Sequence, residues 1–278
     1  MNDLTFLQAV VLGFVQGLTE FLPVSSKSHL AITQRLMGLR PDSDEMIFFD
    51  LLLHVATLAA VVVVFREPLV KFLSRLALEL RSNWPARRRY AWRIALLGMA
   101  ATIPTGVIGI TCKDFFESAF AKPRWTGFGL WVTATLLVVA SILPRGRRRW
   151  RDFAFWQAGF VGLAQGAALL PGISRSGSTI CAALFCGLRR PWAAQFSFLI
   201  AFPAILGGTL IKLKDLPDGA TSPAPQLHWA PMALGCFVSF LAGIVALRLL
   251  LSAVRKAKLF YFAGYCAILG TLLVAGLI

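Results

Sequence analysis

Along residues 1–278 the apolar positions come in long runs, and polar positions gather in short clusters between them. Six runs, roughly 48–65, 91–111, 125–143, 191–213, 229–251 and 259–278, look long enough and apolar enough for a helix to cross the ~30 Å hydrocarbon core of a bilayer. Two more apolar stretches, 4–38 and 153–188, break near their middles at Pro23 and at Pro171-Gly172. Each arm beside a break is only about ten to twenty residues, short for a crossing. Both stretches therefore read as re-entrant hairpins, whose irregular tips need protein or a wet cavity around them. Segment 67–82 carries apolar residues at helical spacing among Lys71, Arg75, Glu79 and Arg81, and reads as the first span continued along the interface. Segment 215–228, with its three prolines, Gly219, Thr221 and Ser222, reads as an external loop.

The two hairpins repeat one pattern. Residues 13–28 read GFVQGLTEFLPVSSKS and residues 162–176 read GLAQGAALLPGISRS. With a one-residue gap, Gly13, Gln16, Gly17, Pro23, Ser26, Lys27 and Ser28 match Gly162, Gln165, Gly166, Pro171, Ser174, Arg175 and Ser176. Repeated broken segments in a hydrophobic chain point to a polar site shared by two membrane half-domains. Each half, 1–150 and 151–278, then holds one hairpin followed by three crossings. Three is odd, so the second half enters the bilayer from the opposite side. The fold class expected is an all-α polytopic membrane protein, an inverted-topology repeat of six transmembrane helices plus two re-entrant hairpins.

Composition agrees: 57% of residues are hydrophobic and 15% charged, where a soluble domain carries about a quarter charged. The net charge of +15 does not signal nucleic acid, because topology accounts for it. Under this topology eighteen cations fall on one side, among them Arg66, Arg87–Arg89, Arg145–Arg151 and Arg255–Lys258. Eight, including Lys27, Arg35 and Lys212, fall on the other side with most of the acids. The cation-rich side should be cytoplasmic, which puts both termini outside. Trp84, Trp92, Trp125, Trp150, Trp156, Trp192 and Trp229 fall near span ends, as interfacial anchors do. The start, Met1-Asn2-Asp3, lacks the basic region of a cleavable signal. The five cysteines have neither metal-ligand nor disulfide-framework spacing and read as packing residues.

Ionisable residues inside apolar segments are few: Glu20, His29, Asp50, His54, Arg175 and Arg248. Burying a charge in hydrocarbon costs several kcal/mol, so each needs a partner or a job. A Glu20–Arg175 pair stapling the halves is the plain reading. The hairpin tips are over-equipped for it, with Ser25, Ser26, Lys27, Ser28 and His29 on one and Ser174, Arg175, Ser176, Gly177, Ser178 and Thr179 on the other. Hydroxyls, two cations and backbone N–H groups at a helix start suit a phosphate. A serine beside a histidine and a carboxylate supplies the parts of a nucleophile and its base. His54 reads as a packing histidine, with a place beside the site as the alternative. Asp50 reads as a helix cap, and Arg248 as snorkelling to the interface.

The strings GLTEFLPVSS and PGISRSG make the chain resemble the undecaprenyl-diphosphate phosphatase family, the bacitracin-resistance type of integral membrane pyrophosphatase. The resemblance runs over essentially the whole length. It implies hydrolysis of undecaprenyl diphosphate to the monophosphate and phosphate, in the inner membrane, at a site opening outward, by a homodimer. By position, Glu20 resembles the family's motif glutamate, Ser26 its candidate nucleophile, His29 its general acid/base and Arg175 its phosphate-binding arginine. Ser25, Ser174 and Ser176 resemble supporting hydroxyls, while Gln16, Lys27, Ser28 and Thr179 complete the expected phosphate site. The family commonly has Glu where this chain has Gln16, and Thr-Gly where it has Lys27-Ser28. A divalent cation, Mg2+ or Ca2+, is therefore expected with Glu20 as its one candidate ligand, weakened by Gln16 and partly replaced by Lys27. The competing reading is a polyprenyl-phosphate flippase or transporter using the same anion site.

Overall fold

The computed structural model describes residues 4–81, 90–120, 122–215 and 228–277. Trp84, Arg87–Arg89 and nearly all of the loop expected over 215–228 lie outside the described residues. Among those described there are twelve α-helices and no strand. The first stretch forms α1 (Phe6–Phe21) and α2 (Ser26–Leu36), and the later one forms α8 (Phe155–Ala167) and α9 (Arg175–Phe185). At 1.5 Å per residue the four arms are about 17–24 Å long, too short for any one to cross. Both breaks follow from their residues. Pro23 cannot continue α1, and Gly172 takes φ +83°, a conformation open to glycine.

Among the described residues five helices are long and apolar enough to span a membrane: α3 (Asp44–Val64), α5 (Tyr90–Thr111), α7 (Pro123–Ile142), α10 (Arg190–Asp215) and α11 (Trp229–Arg255). The sixth expected span is shorter than the sequence suggests. Helix α12 (Phe260–Val274) has 15 residues, because Gly276 at φ +70° ends it. Leu277 N–H then folds back onto the Leu272 carbonyl at 3.0 Å, the closure of a Schellman-type C-terminus. The interfacial continuation is α4 (Arg66–Arg81), and an unanticipated short helix, α6 (Lys113–Phe120), precedes α7. The spans carry apolar side chains outward, such as Ile103, Val107 and Ile110 on α5, as lipid contact requires.

Packing crosses between the two ends of the chain. Helix α1 lies along α11, α8 along α5, and α7 along α12. The matched glycines permit this approach, since a Cβ on Gly13 would strike the Gly235 carbonyl and one on Gly162 the Ala101 carbonyl. One buried cluster runs from Phe21 and Val24 through Leu97, Leu130 and Ile180 to Leu250 and Leu273. It surrounds both hairpin tips and fixes their positions.

Glu79 on α4 is also structural. Its carboxylate accepts from the Ala91 and Trp92 N–H groups at the start of α5, at 3.2 and 2.9 Å, and from Arg75 at 3.0 Å. Burial alone would raise its pKa, but these donors outweigh it and the net shift is downward. We expect Glu79→Ala to destabilise the protein by about 1–3 kcal/mol, seen as a lower thermal midpoint in detergent. The Glu79 contribution should be present above the ordinary glutamate pKa and fade as pH falls through the depressed folded value.

Candidate functional site at the hairpin tips

The tips meet inside the protein. Ser28 Oγ accepts from the Gly172 N–H at 3.0 Å and lies 2.9 Å from Ser25 Oγ, tying one tip to the other. Ser25 sits in the left-handed region at φ +71°, costly for a residue with a Cβ. That turn aims its carbonyl at His29, whose Nδ1 is 2.8 Å away. On the second tip Ser174 caps α9 by accepting from the Gly177 N–H at 3.1 Å, with Ser176 Oγ 3.3 Å from its hydroxyl. Thr133 of α7 holds this turn, accepting from the Ser174 N–H at 2.9 Å and donating to the Gly172 carbonyl at 3.0 Å.

Glu20 is the centre of the arrangement, with its side chain only 4% exposed. Ser26 Oγ donates to Glu20 Oε2 at 2.7 Å, and Gln16 Nε2 donates to the same oxygen at 3.1 Å. Arg175, from the other hairpin, binds Oε1 through one guanidinium nitrogen. His54 Nε2 lies 3.7 Å from Oε2, so of its two readings the place beside the site is the one observed. A buried carboxylate with an arginine partner and two neutral donors is satisfied as an anion. Arg175 gives Glu20 one arm and keeps further donors for an anion.

The chain's halves differ here for a visible reason. Gln165, the match of Gln16, donates to Thr105 Oγ1 at 3.1 Å, and the positions that can match Glu20, Ala168 and Leu169, are both apolar. One hairpin therefore carries the acid and the other the arginine.

A comparison with known proteins bears on this geometry. Residues 9–272 match the family model described as "Bacitracin resistance protein BacA". An undecaprenyl-diphosphatase of Alkaliphilus metalliredigens is 40% identical over 275 residues, 98% of each chain. One from Carboxydothermus hydrogenoformans is 40% identical over 95% of this chain and 94% of its own. One from Syntrophotalea carbinolica is 41% identical over 96% and 97%. The chain belongs to the BacA family.

Within this family member the expected site residues separate by position. Ser26, Lys27, His29 and Arg175 keep part of their surface open. Gln16, Ser25, Ser28, Ser174, Ser176 and Thr179 are buried and bonded within the protein. Thr179 Oγ1, expected at the phosphate, instead lies 2.6 Å from Ser197 Oγ. These buried residues shape the tips from behind. Lys27 lies over the Phe120 ring, 5.7 Å from its centroid, a contact made possible by α6. Tyr265 of α12 was not anticipated. Its hydroxyl is 2.6 Å from His29 Nε2 and the two rings stack at 5.6 Å.

The donors for a divalent cation are sparse. Among the described residues no three His, Cys, Asp or Glu side chains converge on a metal-sized position. The buried Gln16 Oε1 has no hydrogen-bond partner, but the neighbouring carboxylate already serves Arg175, Ser26 and Gln16. Mg2+ and Ca2+ favour several free carboxylate or carbonyl oxygens, and these residues do not supply them.

Proposed function

We propose that this protein hydrolyses undecaprenyl diphosphate to undecaprenyl phosphate and inorganic phosphate, regenerating the carrier lipid for envelope glycan synthesis. The observation that carries the reading is Glu20, bonded at once to the Ser26 hydroxyl and to Arg175 of the opposite hairpin. The undecaprenyl-diphosphatase names of relatives about 40% identical over nearly the whole chain supply the substrate. We place the protein in the bacterial inner membrane as an inverted repeat with both termini outside. The site then opens outward, the polyprenyl tail lies in lipid between helices, and two copies form a dimer.

In this mechanism Arg175 and Lys27 neutralise the terminal phosphoryl group, which is most of what phosphoryl transfer demands. Ser26 Oγ attacks the terminal phosphorus, its proton passes to Glu20, and the bond to the bridging oxygen breaks to release undecaprenyl phosphate. Water then cleaves the phosphoserine, giving phosphate and freeing Ser26. Glu20 is the better base for Ser26 because it holds that hydroxyl, whereas His29 is bonded to Ser25 and Tyr265. The test is phosphate release from undecaprenyl diphosphate by purified protein in detergent, where a transporter without hydrolytic activity releases none. Absence of release would overturn the reading.

No step is routed through a metal. We expect treatment with EDTA to slow hydrolysis by no more than about tenfold, with Lys27 and Arg175 carrying the neutralisation. A loss of about a thousandfold, restored by Mg2+ or Ca2+, would give that task to the ion.

A further inference from the structure

Both ring nitrogens of His29 are spoken for, and the two partners differ in kind. Nδ1 faces the Ser25 backbone carbonyl at 2.8 Å, a group that only accepts, so Nδ1 carries the proton. In the neutral ring Nε2 then holds a lone pair, and it faces the Tyr265 hydroxyl at 2.6 Å. The Tyr265 ring stacks on the imidazole with centroids 5.6 Å apart and planes 21° from parallel. Tyr265 itself is 47% exposed, on a face of α12 it shares with the exposed Tyr261 and Ile268. Among the described residues, the partner of its hydroxyl is His29 Nε2.

We propose that Tyr265 is the positioning residue of His29. It fixes the plane of the imidazole by stacking and engages Nε2 through its hydroxyl, so that His29 enters the reaction in one tautomer and one orientation. The hydroxyl also suits both protonation states of the ring. It donates to Nε2 when the imidazole is neutral, and by rotating the O–H bond it accepts from Nε2–H once the ring takes up a proton. His29 can therefore change its protonation state without moving, which suits the general acid/base that its motif position resembles. The contact follows from the geometry alone, while its catalytic consequence rests on the phosphatase reading above.

The test uses Tyr265→Phe, which keeps the stacked ring and removes only the hydroxyl. We expect kcat for phosphate release to fall about tenfold, part of the 10²–10⁴ a positioned acid or base supplies, while KM stays within about twofold. A second readout needs no activity. Carbethoxylation of His29 by diethyl pyrocarbonate, followed by mass spectrometry, should be several-fold faster in Tyr265→Phe because Nε2 is uncovered, with His228 as the internal reference. Wild-type kcat in Tyr265→Phe would overturn the positioning role, and an unchanged modification rate at His29 would overturn the contact. If the wild type released no phosphate, the phosphatase reading would fall while the modification rates still judged the contact.

Discussion

Arg175→Ala is expected to slow phosphate release by about 10³-fold or more, the scale on which a charge-stabilising arginine acts in phosphoryl transfer. The argument starts from Glu20, which takes one arm of the guanidinium and leaves the others for the substrate's oxygens. Arg175→Lys keeps the charge but loses the fork, so we expect it to retain the fold and still lose about 10²-fold. Near-normal turnover in Arg175→Lys would refute the clamp. The alanine variant has a second effect that must be separated. The Glu20 and Arg175 side chains are only 4% and 19% exposed, and removing one member of a buried pair costs about 3–5 kcal/mol. Combining Arg175→Ala with Glu20→Gln removes the orphaned charge. That double variant should melt closer to wild type than Arg175→Ala does, which traces the stability loss to the orphaned charge, while the rate loss is judged on Arg175→Lys, which keeps the charge beside Glu20.

The site was legible in the sequence where chemistry and backbone broke the same rule at the same place. Pro23 and Pro171-Gly172 interrupt apolar runs, and the serines and cations beside them are the residues that meet at the tips. The pairing of Glu20 with Arg175 was legible too, because both are charges in hydrocarbon that need partners. What stayed hidden was set by neighbours distant along the chain. Tyr265 comes from 236 residues beyond His29, and an aromatic near a membrane interface looks the same whether it anchors a helix or holds a histidine. His54 lies four residues, about one helical turn, from Asp50, and only packing of α3 near the tips brings it to Glu20. Thr179 looked like a phosphate ligand because it follows a serine-rich turn. Its partner Ser197 lies on α10, and no local pattern announces that contact. The shortness of α12 was hidden for another reason: an apolar run reports that a helix can lie in lipid, whereas a glycine at positive φ decides where it stops.

Glu20→Gln should cost about 10²–10⁴ in kcat, because the amide cannot take the Ser26 proton. The substitution preserves size and keeps one acceptor oxygen for Arg175, while Gln16 can turn its unpartnered Oε1 to accept from the new amide N–H, so KM should change little. Ser26→Ala decides how that loss is to be read. With Ser26 as nucleophile and Glu20 as its base, the two residues act as a unit, and the double variant should be no slower than the worse single one. Rapid acid quench of the wild type in a single turnover should also capture phosphate on Ser26. Direct attack by water predicts otherwise: Ser26→Ala would keep much of its activity, no phosphoserine would form, and Glu20→Gln would remain impaired in either background. The 2.7 Å bond from Ser26 to Glu20 favours the first outcome, since the hydroxyl nearest the base is the one it deprotonates first. Multiplicative losses in the double variant would separate the two residues into independent roles, leaving Glu20 to activate water and Ser26 to bind the phosphate.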